Sequence, residues 1–169
     1  GSMAASPSDL FAFLSAHNIA HETIEHEPTF SVEDGRHLKS GLPGGHSKNL
    51  FMKDKAGHFV LISAWADSQL RLNRLHRQLG TRRLSFTDAD ALFSLLGVKP
   101  GSVTAFALIN DQAERTVRFI ADARLMTFDT IYFHPLINTA TTAIASRDLL
   151  TFTAATGHGC EIIDFEQLI

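Results

Sequence analysis

The chain has 169 residues, 44% of them hydrophobic, and its 15 Lys and Arg against 18 Asp and Glu leave a formal charge of −3. Chains of roughly 100–200 residues bury about 70% of their unfolded surface around one core, so one domain is expected over residues 4–169, with Gly1-Ser2 before Met3 read as a tag remnant. The charge excludes a polybasic nucleic-acid binder, whose affinity comes from an overall excess of Lys and Arg. A single cysteine, Cys160, has no intrachain disulfide partner, no apolar run approaches the roughly 20 residues that span a bilayer, and no signal-peptide pattern opens the chain; a cytoplasmic protein is expected.

In chain order, Ser8 and Asp9 open a helical pattern of Leu10, Phe11, Leu14 and His17 that ends near Asn18. A strand is expected from His21 to Glu25, and Ser31 followed by acids predicts a short helix to about Leu38. Residues 40–47 hold three glycines and a proline, which predicts a loop with wide backbone freedom. Lys48–Lys53 and His58–Ser63 read as a hairpin joined by an Asp54–Gly57 turn. Asp67 or Ser68 is expected to cap a helix that runs to Leu79 and stops at Gly80, with Leu72, Leu75 and Leu79 as its buried stripe. Thr87–Asp90 caps a helix to about Leu96. The run from Gly97 to Asp111 is a Gly/Pro loop entering an apolar segment that fits a short helix, a strand, or both. Strands are expected at Val117–Ala121 and Thr130–Phe133, a helix capped by Ser146 to about Thr156, and a last strand at Glu161–Phe165. The interleaving, with one antiparallel hairpin and no doubly wound series, predicts a mixed α/β (α+β) fold with a mixed sheet and surrounding helices.

Several chemistries are excluded by spacing. His17 and His21 have metal-pair spacing, but across an expected helix end and with no third ligand placed by a motif, and His158-Gly-Cys160 is isolated; no metal and no cofactor is expected. Cys160 precedes an apolar strand and reads as a buried, inert thiol. No Gly-x-Ser-x-Gly elbow, Walker sequence or dinucleotide fingerprint is present.

Charge is unevenly placed. Residues 68–83 carry Arg71, Arg74, Arg77, Arg82 and Arg83 and no acid, so this segment is +5, and the remaining 10 basic and 18 acidic residues leave −8 elsewhere. Phosphate contact and an ordinary solvated helix face are both consistent with that run. Two further clusters join reactive groups to special backbone: Gly44-Gly45-His46-Ser47-Lys48-Asn49, and Phe133 to Thr142, in which Pro135 holds His134 extended.

Three segments in register carry a family resemblance: Gly-Gly-His-Ser-Lys-Asn-Leu-Phe-Met-Lys-Asp at 44–54, Leu96 to Asp111, and Phe-His-Pro-Leu-Ile-Asn-Thr-Ala-Thr-Thr at 133–142. They resemble the YbaK/ProX-like aminoacyl-tRNA editing domains, specifically the freestanding ProXp-ala (PrdX-type) branch, over nearly the whole chain. The resemblance implies that branch's strongly twisted or barrel-like sheet ringed by helices. It also implies a trans-editing deacylase that hydrolyses Ala-tRNA(Pro) without a metal, by a substrate-assisted route. Lys48 matches the family lysine, expected to fix the terminal adenosine phosphate or polar groups of the substrate, with Asn49 assisting. Gly101, Ser102, Val103, Thr104 and Ala105 lie on the family's Gly-x-x-x-Pro loop, whose N–H groups would hold the ester carbonyl; Ala105 stands in place of the closing proline. His134, with Asn138 and Thr139, matches the third motif, which shapes the amino-acid pocket or positions water, and His46 falls among the expected substrate contacts. The arginines at 71, 74, 77, 82 and 83 are assigned to acceptor-stem phosphates independently of the resemblance. Expected partners are tRNA(Pro) mischarged with alanine, and prolyl-tRNA synthetase or an elongation factor; neither DNA nor a membrane is expected. The alternatives are a deacylase for Cys-tRNA(Pro) or Ser-tRNA, and a tRNA- or synthetase-binding module without catalysis.

Overall fold

A computed structural model describes residues 4–28 and 41–166, beginning with a capped helix, α1 (Pro7–Ala16). The Asp9 N–H donates to the Ser6 hydroxyl and the Ser6 N–H to the Asp9 carboxylate, while Pro7 takes the first helical position, where its missing N–H costs nothing. The cap is therefore Ser6 rather than Ser8. Leu10 and Leu14 are buried, and Asn18, at φ +60°, turns the chain out of the helix. The helix expected over Ser31–Leu38 lies outside the described residues.

Eight strands follow among the described residues: β1 (Glu22–Glu25), β2 (Gly45–Asp54), β3 (Phe59–Trp65), β4 (Leu84–Phe86), β5 (Val117–Asp122), β6 (Thr130–Phe133), β7 (Ala140–Ala145) and β8 (Glu161–Ile163). They form one sheet in the order β1-β7-β6-β2-β3-β5-β8, with β4 also on β2. β1–β7, β6–β7, β2–β3 and β2–β4 are antiparallel; β2–β6, β3–β5 and β5–β8 are parallel. The expected mixed sheet and hairpin are both present.

Alternation along the central strands sorts the core into two layers. Phe51, Leu61 and Phe119 face a large cluster with Leu10 and Leu14 of α1, Leu92 and Leu96 of α3 (Ala89–Leu96), Phe106, and Phe152 of α4 (Ser146–Thr156). Met52, Val60, Ile62 and Ile120 face the opposite way, against Leu75 and Leu79 of α2 (Leu75–Leu79), Leu84 and Phe165. Each such side chain contributes about 2 kcal/mol when taken fully out of water.

The structure alters or settles the pattern read in the sequence in four segments. Between Ser68 and Leu79 no single capped helix forms: a 3-10 turn over Leu72–Arg74 leads into the five-residue α2, and neither start has a side-chain cap. The Ser68 hydroxyl is spent on Asp122 instead, and the tighter 3-10 turn leaves Leu72 40% exposed rather than in the buried stripe. Gly80, at φ +70°, ends α2 as expected. The ambiguous run after Gly97 becomes a 3-10 helix over Ala105–Asp111. Ser146 is the first residue of α4 rather than its cap, and β8 stops at Ile163, leaving Phe165 to fill the second cluster.

Candidate active site

His46, Lys48 and Asn49 lie where β2 changes partners. Gly45 and His46 pair with Ile131 and Tyr132 of β6, and Ser47–Lys53 pair with Trp65–Phe59 of β3 along the other edge. β4 joins the first edge only at Met52. From Ser47 to Phe51 that edge has no strand on it among the described residues, so the sheet opens where Lys48 and Asn49 sit.

The two glycines before this fork serve contact rather than looseness. A Cβ on Gly45 would lie 2.7 Å from the Phe128 ring, and one on Gly44, at φ +134°, 2.7 Å from the Thr130 carbonyl oxygen. The segment expected to be a free loop is therefore pressed against β6, and the strand begins at Gly45 rather than Lys48.

Alternation sends the motif's neighbours to opposite faces of β2. His46 and Lys48 lie on the face that carries Met52. The His46 ring stacks on Tyr132 at 4.4 Å and 13° and bonds through Nε2 to the Leu42 carbonyl at 2.8 Å. Lys48, half-buried, donates from Nζ to the Ser68 carbonyl at 2.6 Å, a short charge-assisted bond. Asn49 lies on the face that carries Phe51. Its Oδ1 accepts from the Ser63 hydroxyl, and its Nδ2 donates to Ser47 Oγ, which in turn donates to the Tyr132 carbonyl at 2.6 Å. Asn49 thus ties β2 to β3 and, through Ser47, to β6.

His134 follows the last residue of β6, two positions beyond Tyr132 as Lys48 is two beyond His46, so the two flank the opening from its two strands. Its Nδ1 bonds to the Ala140 carbonyl at 3.0 Å. A carbonyl only accepts, so the neutral ring carries its proton on Nδ1 and its lone pair on Nε2. Burial holds the imidazole pKa below its ordinary value, against the opposing effect of the Ala140 bond, and the neighbouring His26 lowers it further. The His26 ring lies 6.2 Å from that of His134 and bonds to Thr141 Oγ1 at 2.7 Å, with its backbone N–H on the Thr139 carbonyl. Sequence reasoning missed His26, which no motif marks. Asn138 is half-buried and Thr139 exposed on the β6–β7 loop. Leu136 in that loop takes φ +71°, a conformation that costs a side-chain-bearing residue roughly 1 kcal/mol, and its burial in the core holds it there.

The Gly101–Ala105 loop packs on the first cluster through Val103 and Ala105. Thr104 and Ala105 are fully buried; the Thr104 hydroxyl caps the 3-10 helix by accepting from the Phe106 N–H, and the Ser102 N–H donates to the Lys99 carbonyl at 3.0 Å. This cap and turn brace the loop without a proline at 105. Gly101, at φ +92°, and Val103 remain half-buried.

The five arginines of residues 68–83 are exposed, and none has a carboxylate partner among the described residues. Their segment lies on the Lys48 face of the sheet, since α2 covers Met52 and Ile62. Elsewhere, His21 is used by the Ile19 carbonyl and stacked on Phe11, and burial raises the Cys160 thiol to about 11, leaving it unreactive near neutrality.

The aminoacyl-tRNA editing domain model matches residues 26–152, a span that holds the fork, the 101–105 loop and both histidines. The chain belongs to that family. It is 37% identical to prolyl-tRNA synthetase associated domain-containing protein 1 of Bos taurus, over 91% of this chain and 92% of that protein. It is 28% identical to the prolyl-tRNA editing protein ProX of Acetoanaerobium sticklandii, over 86% of this chain and 89% of the relative. A crystal structure of a candidate trans-editing enzyme for prolyl tRNA synthetase superposes with a TM-score of 0.73 at 16% identity, covering 99% of this chain and 100% of that one, which establishes the shared fold.

Proposed function

We propose that this editing-family chain is a trans-acting deacylase that hydrolyses the ester of alanine mischarged onto tRNA(Pro). The observation that carries this reading is the opening in the sheet, where Lys48, anchored by a carbonyl, and a neutral His134 flank the place that β6 leaves. In the reaction water adds to the ester carbonyl, the bond to the ribose 3′-oxygen breaks, and that oxygen takes a proton as alanine departs. An aminoacyl ester is already activated, so orientation and electrostatics suffice, with the 2′-hydroxyl of the terminal ribose assisting the water. Lys48 would hold the terminal phosphate or substrate polar groups. His134 Nε2 would accept a hydrogen bond from water or from the ammonium of the amino acid, and Asn138 and Thr139 would bound the pocket with it. Since Ser102 N–H is already engaged with Lys99, the loop donors assigned to the developing oxyanion are Gly101 and Val103.

The selectivity has a physical basis. A synthetase pocket built for proline cannot strongly reject a smaller apolar side chain by binding alone, and a second hydrolytic site too small for the proline ring removes the error. The exposed arginines of residues 68–83 would meet acceptor-stem phosphates. Their segment starts at Ser68, on Lys48, and reaches Arg82, whose N–H donates to Asp54 at the far end of β2, a path of about 20 Å along the strand. Prolyl-tRNA synthetase or an elongation factor would supply the charged tRNA.

The test is release of amino acid from tRNA(Pro) charged separately with alanine, cysteine, serine and proline. Alanine release with proline spared is expected. Cleavage of the cysteine or serine ester alone would reassign the substrate, and no release from any of the four would leave a binding module in place of an enzyme.

A further inference from the structure

Asp122 ends β5, and its side chain is fully buried. Its Oδ2 accepts from the Ser68 hydroxyl at 2.6 Å and from the Trp65 N–H at 3.0 Å, and its Oδ1 from the Arg124 N–H at 3.0 Å. Ser68 is the residue whose carbonyl holds the Lys48 ammonium. Its own N–H is tied to the Trp65 carbonyl at 2.9 Å, so its peptide is fixed on one side by β3 and on the other by the carboxylate.

Burying a carboxylate costs several kcal/mol, and neutral acceptors would satisfy the same three donors without that cost. Asp122 has no ion pair among the described residues. The Arg124 guanidinium nearby is turned to Glu166 and over the Trp65 ring at 5.0 Å, and Asp67, beside Ser68, is exposed. The cation that Asp122 reaches through one shared residue is Lys48. We propose that Asp122 and Ser68 are positioning residues for Lys48: the carboxylate locks the Ser68 peptide so that its carbonyl aims the ammonium into the sheet opening, and its charge keeps that ammonium protonated. This rests on the reading of Lys48 as the lysine of a deacylase site.

Asp122→Asn puts an amide NH2 against either the Trp65 and Ser68 donors or the Arg124 N–H, and removes the charge. Ser68→Ala keeps the carbonyl but cuts the tether to the carboxylate. Both are made in the full chain with 13C-labelled lysine, and the 13Cε signal of Lys48 is titrated while deacylation of Ala-tRNA(Pro) is resolved into kcat and KM. For Asp122→Asn the Lys48 midpoint is expected to fall by about one unit, as loss of a nearby unit charge in a partly buried site requires, with kcat down at least about tenfold and KM changed less than about twofold. Ser68→Ala is expected to lower kcat by a smaller factor with KM again unchanged, and it carries the test alone if Asp122→Asn does not fold. A folded variant with an unmoved Lys48 titration and an unchanged kcat would overturn the relay. The titration needs no substrate, so a shifted Lys48 in a chain that deacylates nothing would sink the proposed function and leave the relay standing, whereas an active chain with an unshifted Lys48 would sink the relay alone.

Discussion

Lys48 acts through its point charge and through the Ser68 carbonyl that aims it, so no other side chain substitutes for it in this reading. Lys48→Ala is expected to reduce deacylation to background while the thermal midpoint stays within a few degrees, because the side chain is half-buried and outside both core clusters. Lys48→Arg is expected to recover little, since a planar guanidinium cannot repeat the 2.6 Å ammonium bond to Ser68 in the same space. His134 sets a pH dependence. Its depressed pKa means the neutral ring persists below the ordinary histidine value of 6.5, so kcat/KM is expected to stay level as pH falls through 6.5 and to drop only below it. The sign for stability is the same: the neutral buried ring's contribution is complete above 6.5 and is lost as pH falls through the lower folded value. A rate that halves at 6.5 itself would show that burial does not shape this group.

The elements explain why part of the site was legible in the sequence. Gly45–Asp54 form one continuous strand, so the chemistry and spacing of the 44–54 segment survive as a linear motif, and Thr130–Phe133 appears as the strand its pattern predicts. Ser68 was misread because a serine before a leucine-rich, arginine-rich stretch has the form of a helix cap; a bond to a residue 54 positions away prevailed over local propensity. His26 escapes for the same reason: Thr141, on the neighbouring strand β7, is 115 residues away in sequence, and His134 follows β6, the strand after it. The 101–105 loop was placed by its motif, but that Thr104 faces inward as a cap required the fold. Thr104→Val keeps the shape and removes that cap, leaving the buried Phe106 N–H unpaired. A loss of about 1–2 kcal/mol in chemical denaturation is expected, with kcat lowered if the loop's geometry matters to the ester.

Across the whole molecule, the net charge of −3 separates into a +5 segment and a −8 remainder, and the fold lays the basic part along the Lys48 face. Arg74→Glu with Arg77→Glu is expected to weaken tRNA binding at least about tenfold and to lower the slope of affinity against salt by about two phosphate contacts, with little change in kcat. An unchanged slope would return those arginines to a solvated face. At the far end of β2, backbone N–H groups, that of His58 foremost, hold the Asp54 carboxyl down at about 2 from an ordinary 3.8. Its contribution is therefore full above 3.8 and lost as pH falls to about 2, so the stability gap between wild type and Asp54→Asn should close over that window in denaturant melts. The account's central claim is that the opening beside Lys48 hydrolyses a small aminoacyl ester on tRNA(Pro), and the most direct measurement follows alanine release from Ala-tRNA(Pro) with wild type and Lys48→Ala side by side. The account predicts rapid release by wild type and background release by the variant. Equal release by both, or none by wild type, would contradict it.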